Sequence, residues 1–251
     1  MTGSRHDGRR TSILAIDCAT TQVVVASGSP AGRIDGLTTW TAGYRHGETL
    51  LPAIGRFLGE QNIRRSRLAG IVVGIGPGAF TGLRVGLATA KGLAHGLGLP
   101  LVGISTAEAL LVAASAGDPR DAGVADHVGD VGDAGTSVAE TLVLLMPAGP
   151  ADRIVVRRGV PPRLLPAGLE PDLADGESLV AVDLAGRAGV RALERGDVAR
   201  GGLGAALIAL GAARLAAGDV DDLARLVPEY VTLPRGVRAD GGEVSWSHDR
   251  A

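Results

Sequence analysis

The chain has 251 residues and a formal net charge of −2, so it can bury a sizeable core in one large domain or two small ones. That charge gives no basic footprint for nucleic acid at the level of the whole chain. Two Trp, two Tyr and two Phe residues offer few platforms for stacking bases. The single cysteine, Cys18, excludes an internal disulfide, and no apolar run approaches the length of a membrane span. We therefore expect a soluble, cytoplasmic protein that leaves most of any RNA contact to another subunit.

The first half of the chain predicts a β-rich start followed by alternating strands and helices. Short β-branched runs indicate strands over residues 12–16, 23–27, 37–41, 71–75 and 101–104. Apolar residues at helical spacing indicate helices over 48–60, from an N-cap at Thr81 to 97, and from a cap at Ser105 or Thr106 to 114. This order is typical of one lobe of an α/β, actin-like (ASKHA, ribonuclease H-like) fold. We assign residues 12–116 to that lobe and residues 1–11 to a disordered leader.

The second half predicts a smaller lobe. Residues 117–139 are rich in Asp and Gly, which indicates a flexible acidic insertion. Beyond it, the pattern predicts strands over 141–146, 153–157 and 179–184, and helices over 203–217 and 221–226. We expect a reduced C-terminal lobe over 140–238 and a disordered tail over 239–251.

A glycine-rich segment joins the strand at 71–75 to the helix that follows it. A strand, a glycine loop and a helix start in this order direct backbone N–H groups and the positive end of the helix dipole at one spot. The segment therefore predicts an anion cradle. It is not a P-loop, because it lacks Gly-Lys-Ser/Thr, and Ala79 and Thr81 break the spacing G-x-G-x-x-G.

The same segment carries a long and specific string, Gly76-Pro-Gly-Ala-Phe-Thr-Gly-Leu-Arg-Val-Gly86. It resembles the Gly-Pro-Gly-Ser/Ala-Phe-Thr-Gly-Leu-Arg-x-Gly string of the bacterial TsaB family, also called YeaZ. Three further segments resemble elements of that family in the same order: Ile13-Leu-Ala-Ile-Asp-Cys-Ala-Thr20, His46-Gly-Glu-Thr-Leu-Leu-Pro52 and Pro100-Leu-Val-Gly-Ile-Ser-Thr-Ala-Glu-Ala-Leu110. The resemblance is dense from residue 13 to about 114, and it implies the actin-like fold.

The resemblance also implies a function. TsaB proteins are accessory subunits in the synthesis of threonylcarbamoyladenosine in tRNA, and they pair with the catalytic subunit TsaD. We therefore expect a non-catalytic scaffold that pairs with TsaD, joins the ATPase TsaE, meets tRNA only indirectly and can also pair with itself through the N-terminal lobe. The residues that we expect at the partner interface are His46, Leu50, Phe80, Gly82, Arg84, Gly86 and Ala90.

Two features of the second helix bear on that interface. Gly82, Gly86, Ala90 and Ala94 form a stripe of small residues, which indicates that another backbone approaches the helix closely. That backbone belongs either to a partner lobe or to the chain's own sheet or first helix. Arg84 lies in the first turn of the helix, where a cation needs an anionic partner, such as Glu48, a carboxylate of another subunit or a phosphate.

The sequence gives little support for chemistry by the chain itself, and we expect no catalytic residue, no metal and no cofactor. Asp17 is a weak candidate for cofactor binding, and the favoured alternative is that it accepts hydrogen bonds from its own turn. The prolines of the stretch 145–152 remove N–H donors where a second phosphate turn would need them. In TsaD a His-x-x-x-His pair binds a metal, whereas the matching positions here are Thr106 and Leu110. The alternative function is a stand-alone, nucleotide-binding phosphotransferase of the actin-like fold.

Glu48 and His46, at the start of the first helix, could be taken for an acid/base pair. Acidic and small polar residues stabilise helix N-termini in any case, so the structural interpretation is favoured.

Overall fold

A computed structural model describes residues 10–41, 46–117 and 141–231. The predicted leader, acidic insertion and tail lie almost wholly outside these ranges. The side chain of His46 is also outside the described part.

The first sheet has five strands and three helices associated with it. Its order is β3-β2-β1-β4-β5, with antiparallel pairs between β1, β2 and β3 and parallel pairs between β1, β4 and β5. The strands are β1 (Ser12–Asp17), β2 (Gln22–Gly28), β3 (Ile34–Thr41), β4 (Leu68–Gly76) and β5 (Leu101–Ser105). The helices are α1 (His46–Glu60), α2 (Phe80–Leu97) and α3 (Thr106–Ala116). Strands β1 and β4 are buried on both faces, as expected for strands at the centre of a covered sheet.

The second sheet repeats the topology of the first. Its strands are β6 (Thr141–Pro147), β7 (Arg153–Arg157), β8 (Val160–Leu165) and β9 (Glu177–Ala181), in the order β8-β7-β6-β9. Strands β6, β7 and β8 pair antiparallel, and β9 lies parallel to β6, just as β4 lies parallel to β1. In the first lobe, α1 lies between the third and fourth strands, whereas residues 166–176, which connect β8 to β9, contain no helix. The second lobe is therefore a reduced copy of the first.

Helix α4 (Val190–Ala216) connects the two sheets. Its residues Leu203, Leu207 and Ile208 are fully buried in a core that also contains apolar residues of β1, β6 and α3. A second core lies on the opposite face of the first sheet, under α1 and α2. By length and composition α4 could cross a membrane, but its buried residues identify it as a core helix of this fold.

Four sequence predictions about elements are wrong. Helix α2 begins at Phe80 after an N-cap at Ala79, so Thr81 is not its cap. Helix α4 begins at Val190 and not at residue 203, because small residues in its first turns pack directly on β9. Strand β8 was missed because it contains two prolines, which an edge strand tolerates. Residues 221–226 form a turn stabilised by the Asp222 carboxylate, which accepts from the N–H of Ala224 at 2.7 Å, and not a helix.

The segment after α4 returns to the first lobe, although the predicted boundaries place it in the second. Strand β5 is an edge strand, and its Gly103 has backbone groups that need partners. The Gly103 N–H donates to the Asp221 carboxylate at 2.8 Å, and its carbonyl accepts from Arg214 at 2.7 Å. Further along, the Glu229 N–H donates to the carbonyl of Ile75 at 2.7 Å. These bonds bring Tyr230 to the start of α2.

Candidate functional site

The turn between β1 and β2 is where an actin-like enzyme would place phosphate, and here Asp17 points into the protein. Its side chain is fully buried at the end of β1. One carboxylate oxygen accepts from the N–H of Ala19 at 2.8 Å, and the other accepts from the hydroxyl of Thr106 at 2.6 Å. The Thr106 hydroxyl in turn accepts from the N–H of Gly76 at 3.2 Å. Asp17 therefore connects the ends of β1 and β4 to the start of α3, which supports the structural interpretation over cofactor binding.

Burial also sets the protonation chemistry of this turn. It raises the pKa of Asp17 to about 6, although the hydrogen bonds from Thr106 and Ala19 oppose the shift. Burial, together with the nearby charge of Asp17, raises the pKa of the Cys18 thiol far above its usual range. The thiolate is the nucleophilic form of cysteine, so Cys18 is an inert core residue.

The donors of Thr21, in the same turn, are already paired with a carboxylate of the second lobe. The Thr21 N–H donates to one carboxylate oxygen of Asp183 at 2.6 Å, and the Thr21 hydroxyl donates to the other at 2.7 Å. Arg200 of α4 donates to Asp183 at 3.2 Å. Asp183 is a site residue that no sequence motif indicates, and its one local signal is that an acidic residue follows a buried strand, as at Asp17.

At the predicted anion cradle, the start of α2, the chain's own carbonyl groups lie against the glycine loop. The Ala79 N–H donates to the carbonyl of Ala19 at 2.7 Å. A Cβ added at Gly78 would overlap that carbonyl, and one added at Gly82 would overlap the carbonyl of Cys18. The glycines of the loop therefore allow α2 to approach the β1–β2 turn, and protein oxygens lie against the helix start.

The small stripe of α2 has the same explanation. Gly82, Gly86 and Ala90 are buried, and a Cβ added at Gly86 would lie 3.2 Å from the sulfur of Cys18. Leu50 of α1 is also buried, in the core under α1 and α2. Close packing within the chain therefore accounts for these four residues and favours the packing alternative, while their place at a partner interface stays a prediction.

The corresponding turn of the second lobe, between β6 and β7, has the opposite polarity. The carbonyls of Gly149 and Pro150 accept from the guanidinium of Arg187 at 3.4 and 3.1 Å. The remaining hydrogen bond across the turn runs from the N–H of Ala148 to the carbonyl of Asp152 at 2.9 Å. This turn therefore presents acceptors to a cation, which is unsuited to a phosphate.

The two positions that match the metal ligands of TsaD lie in the interior. Thr106 binds Asp17, and Leu110 is fully buried in the core between the sheets. Within residues 10–41, 46–117 and 141–231, no three His, Cys, Asp or Glu side chains lie together as a metal site requires.

Phe80 and Arg84 are the predicted interface residues that reach the surface of α2. The Arg84 guanidinium stacks on the Phe80 ring at 3.8 Å from its centroid and donates to the Tyr230 hydroxyl at 3.0 Å. The Phe80 and Tyr230 rings lie 5.2 Å apart. Within the chain, Arg84 thus contacts two aromatic rings, and an anionic partner from another subunit stays a prediction. Such a cluster of two aromatic residues and an arginine has the composition of an interface hot spot.

An open cavity of about 460 Å³ lies elsewhere, between β3 and α1. Its walls include Thr38, Trp40, Arg56 and Phe57. It is separate from the β1–β2 turn, and its lining combines threonine hydroxyls, Arg56 and Glu60 with apolar side chains.

Comparisons with known proteins agree with this architecture. A family model described as TsaD, tRNA N6-adenosine threonylcarbamoyltransferase, matches residues 11–125, which cover the first lobe. The solved structure of YeaZ from Pseudomonas aeruginosa superimposes with a TM-score of 0.60 at 20% identity, covering 88% of this chain and 99% of that one. The chain therefore has the predicted two-lobed, actin-like fold.

Proteins that are similar in sequence indicate which family within this fold the chain resembles. The TsaB protein of Haemophilus influenzae is 39% identical over 69 residues, which are 28% of this chain and 29% of the relative. An uncharacterised protein of Mycobacterium leprae is 39% identical over 105 residues, which are 39% of this chain and 28% of the relative. The chain thus matches less than a third of the length of either relative. The predicted resemblance to TsaB (YeaZ) is confirmed, and the first lobe is also similar to the TsaD family model.

Proposed function

We propose that this protein is an accessory, non-catalytic subunit in the synthesis of threonylcarbamoyladenosine in tRNA. In this proposal it pairs with TsaD in the cytoplasm, joins TsaE in the same assembly, and meets tRNA only through the complex. Pairing of two copies through the first lobe is the proposed state of the protein alone. The resemblance to TsaB supports the pathway. The pairing of the β1–β2 turn with Asp183 and of the β6–β7 turn with Arg187 supports the lack of catalysis by this chain.

The observation that most strongly supports a non-catalytic role for this subunit is the pairing of Thr21 with Asp183. A phosphate at the first turn would need the donors that Asp183 already accepts from, and it would be repelled by that carboxylate. The second turn directs carbonyl oxygens at Arg187, and Asp17 has both oxygens engaged inside the protein. Activity of the assembly is therefore assigned to the partner.

The surface proposed for TsaD is the start of α2, with Phe80, Arg84 and the adjoining Tyr230. His46, at the start of α1, stays a prediction for the same surface. Leu50, Gly82, Gly86 and Ala90 are left out of this surface because they are buried within the chain.

A pull-down with TsaD from the same organism tests the surface. We expect Arg84→Ala to weaken capture of TsaD about tenfold, since a central arginine stacked on aromatic rings carries a large share of binding energy. Arg163→Ala is the matched control, because Arg163 is an exposed arginine of β8 in the other lobe. Equal capture by both variants would contradict the proposed surface.

Mass spectrometry of tRNA nucleosides tests the pathway. Deleting the gene should abolish threonylcarbamoyladenosine, and complementation with Asp17→Asn should restore most of it, because asparagine keeps an acceptor oxygen for the turn. Failure of Asp17→Asn to restore the modification while it still captures TsaD would mean that this chain carries a working nucleotide site and would contradict the non-catalytic role.

A further inference from the structure

The contact between Thr21 and Asp183 joins residues that are 162 positions apart and belong to different lobes. Thr21 follows β1 of the first sheet, and Asp183 follows β9 of the second. The Asp183 side chain is only 4% exposed, and its two oxygens accept three hydrogen bonds, from the Thr21 N–H, the Thr21 hydroxyl and the Arg200 guanidinium. The contact is thus a bidentate bond between the lobes, reinforced by a cation from α4.

The backbone of Asp183 indicates that its side chain matters at this position. Its φ angle is +58°, in the left-handed region, where every residue with a Cβ is less stable than glycine. Aspartate tolerates this region better than most residues, and here the cost is offset by the bonds that its carboxylate makes to Thr21 and Arg200.

The donors around Asp183 are of the kind that binds phosphate. A backbone N–H, a neighbouring hydroxyl and a guanidinium converge on its two oxygens, and the same three groups commonly hold a phosphate oxygen pair. Arg200 has a second partner, the exposed carboxylate of Asp197 one turn earlier on α4, so its guanidinium is held in place from both sides.

We propose that Asp183 is a built-in substitute for a phosphate ligand: its carboxylate latches the second lobe onto the first and excludes external anions from the donors of Thr21 and Arg200. The latch closes the turn of the first lobe against the end of β9, in addition to the core that α4 shares with both sheets. Removing the carboxylate should open this contact at Thr21 and, where the side chain is also shortened, expose a site for inorganic phosphate. The inference concerns the isolated chain and stands whether or not the protein acts with TsaD.

Hydrogen exchange of the Thr21 amide, read by NMR on the full chain, tests the latch. Asp183→Asn keeps the shape of the side chain and tolerates the left-handed φ, but it loses the charge. We expect the Thr21 amide to exchange about tenfold faster in this variant, since hydrogen bonds to charged groups are the stronger ones. Asp197→Asn is the control, because it alters the other partner of the same arginine, and it should leave Thr21 unchanged.

Asp183→Gly tests the anion site, because glycine suits the φ angle and vacates the space of the carboxylate. We expect fast exchange of the Thr21 amide in this variant and at least a fivefold slowing when inorganic phosphate is added. Sodium chloride of equal ionic strength should have no such effect, and the wild-type chain should not respond to phosphate.

An exchange rate of the Thr21 amide equal to that of the wild type, in a folded Asp183→Asn or Asp183→Gly chain, would overturn the latch. Fast exchange that phosphate does not slow more than chloride would overturn the anion site. Thr21→Val, which removes only the hydroxyl donor, provides a second route to opening if both Asp183 variants fail to fold.

Discussion

The two lobes carry the same arrangement of four strands, yet the turns at equivalent places have opposite polarity. The β1–β2 turn presents the N–H and hydroxyl of Thr21 and receives the carboxylate of Asp183. The β6–β7 turn presents the carbonyls of Gly149 and Pro150 and receives the guanidinium of Arg187. Both incoming side chains lie within the segment 183–187, just after β9. One short segment therefore supplies the side chains that pair with both turns, although the two turns present opposite polarity.

The packing of α2 against the first turn gives the largest expected effect. Gly82→Ala places a methyl group against the carbonyl of Cys18, which is backbone and cannot move aside, so we expect a loss of about 3 kcal/mol in the free energy of unfolding. Gly92→Ala, on the exposed side of the same helix with open space around it, should gain about 1 kcal/mol. Urea denaturation of both variants measures the difference. Similar stabilities would show that α2 does not close on the turn.

Protonation of Asp17 gives the second-largest expected effect on the free energy of unfolding. Its folded-state pKa is raised to about 6, above the ordinary 3.8, so the folded chain binds this proton more tightly than the unfolded chain does. Stability should therefore fall as pH rises through the window between those values, and Asp17 should account for about 2 kcal/mol of the loss between about pH 4.5 and pH 7. Asp17→Asn should remove that part of the pH dependence in urea denaturation at the two pH values. A pH profile shared by the variant and the wild type would contradict the assignment.

A substitution at the β6–β7 turn should lower the free energy of unfolding less than a substitution at the β1–β2 turn. Arg187→Ala removes two hydrogen bonds to the carbonyls of Gly149 and Pro150, of which the shorter is 3.1 Å. Because these bonds are partly exposed, we expect a loss of only about 1 kcal/mol. Arg158→Ala, at an exposed arginine after β7, serves as the control and should be close to neutral. Chemical denaturation that ranks Arg158→Ala as the more damaging change would contradict the role of Arg187.

The sequence predicted most of the first lobe because its signals are local. Beta-branched runs and helical periodicity identified its five strands and three α-helices, although β3 and β4 begin three residues earlier than predicted and the cap of α2 was placed at Thr81. The second lobe was harder, because β8 contains Pro161 and Pro162 and because the start of α4 packs through small residues such as Gly196. Such residues carry no amphipathic pattern.

The candidate site was predicted in part, and its missing half depends on distant contacts. The structural role of Asp17 was favoured from its turn alone, and the prolines of the second turn already argued against phosphate. Asp183 and Arg187 could not be found this way, because each meets a residue at least 37 positions away in the sequence. The stripe of small residues on α2 was ambiguous for the same reason. Its glycines indicate that another backbone lies close to the helix, but the sequence does not indicate that this backbone is that of Cys18.

Titration of the isolated, full-length protein with Mg·ATP in a calorimeter tests most directly whether protein groups fill both turns. Because Asp183 already occupies the donors of Thr21 and the second turn presents carbonyls that bind Arg187, we predict no saturable heat up to millimolar ATP. Stoichiometric binding in the micromolar range, lost in Thr21→Val, would show that the nucleotide displaces Asp183 and would contradict the central claim.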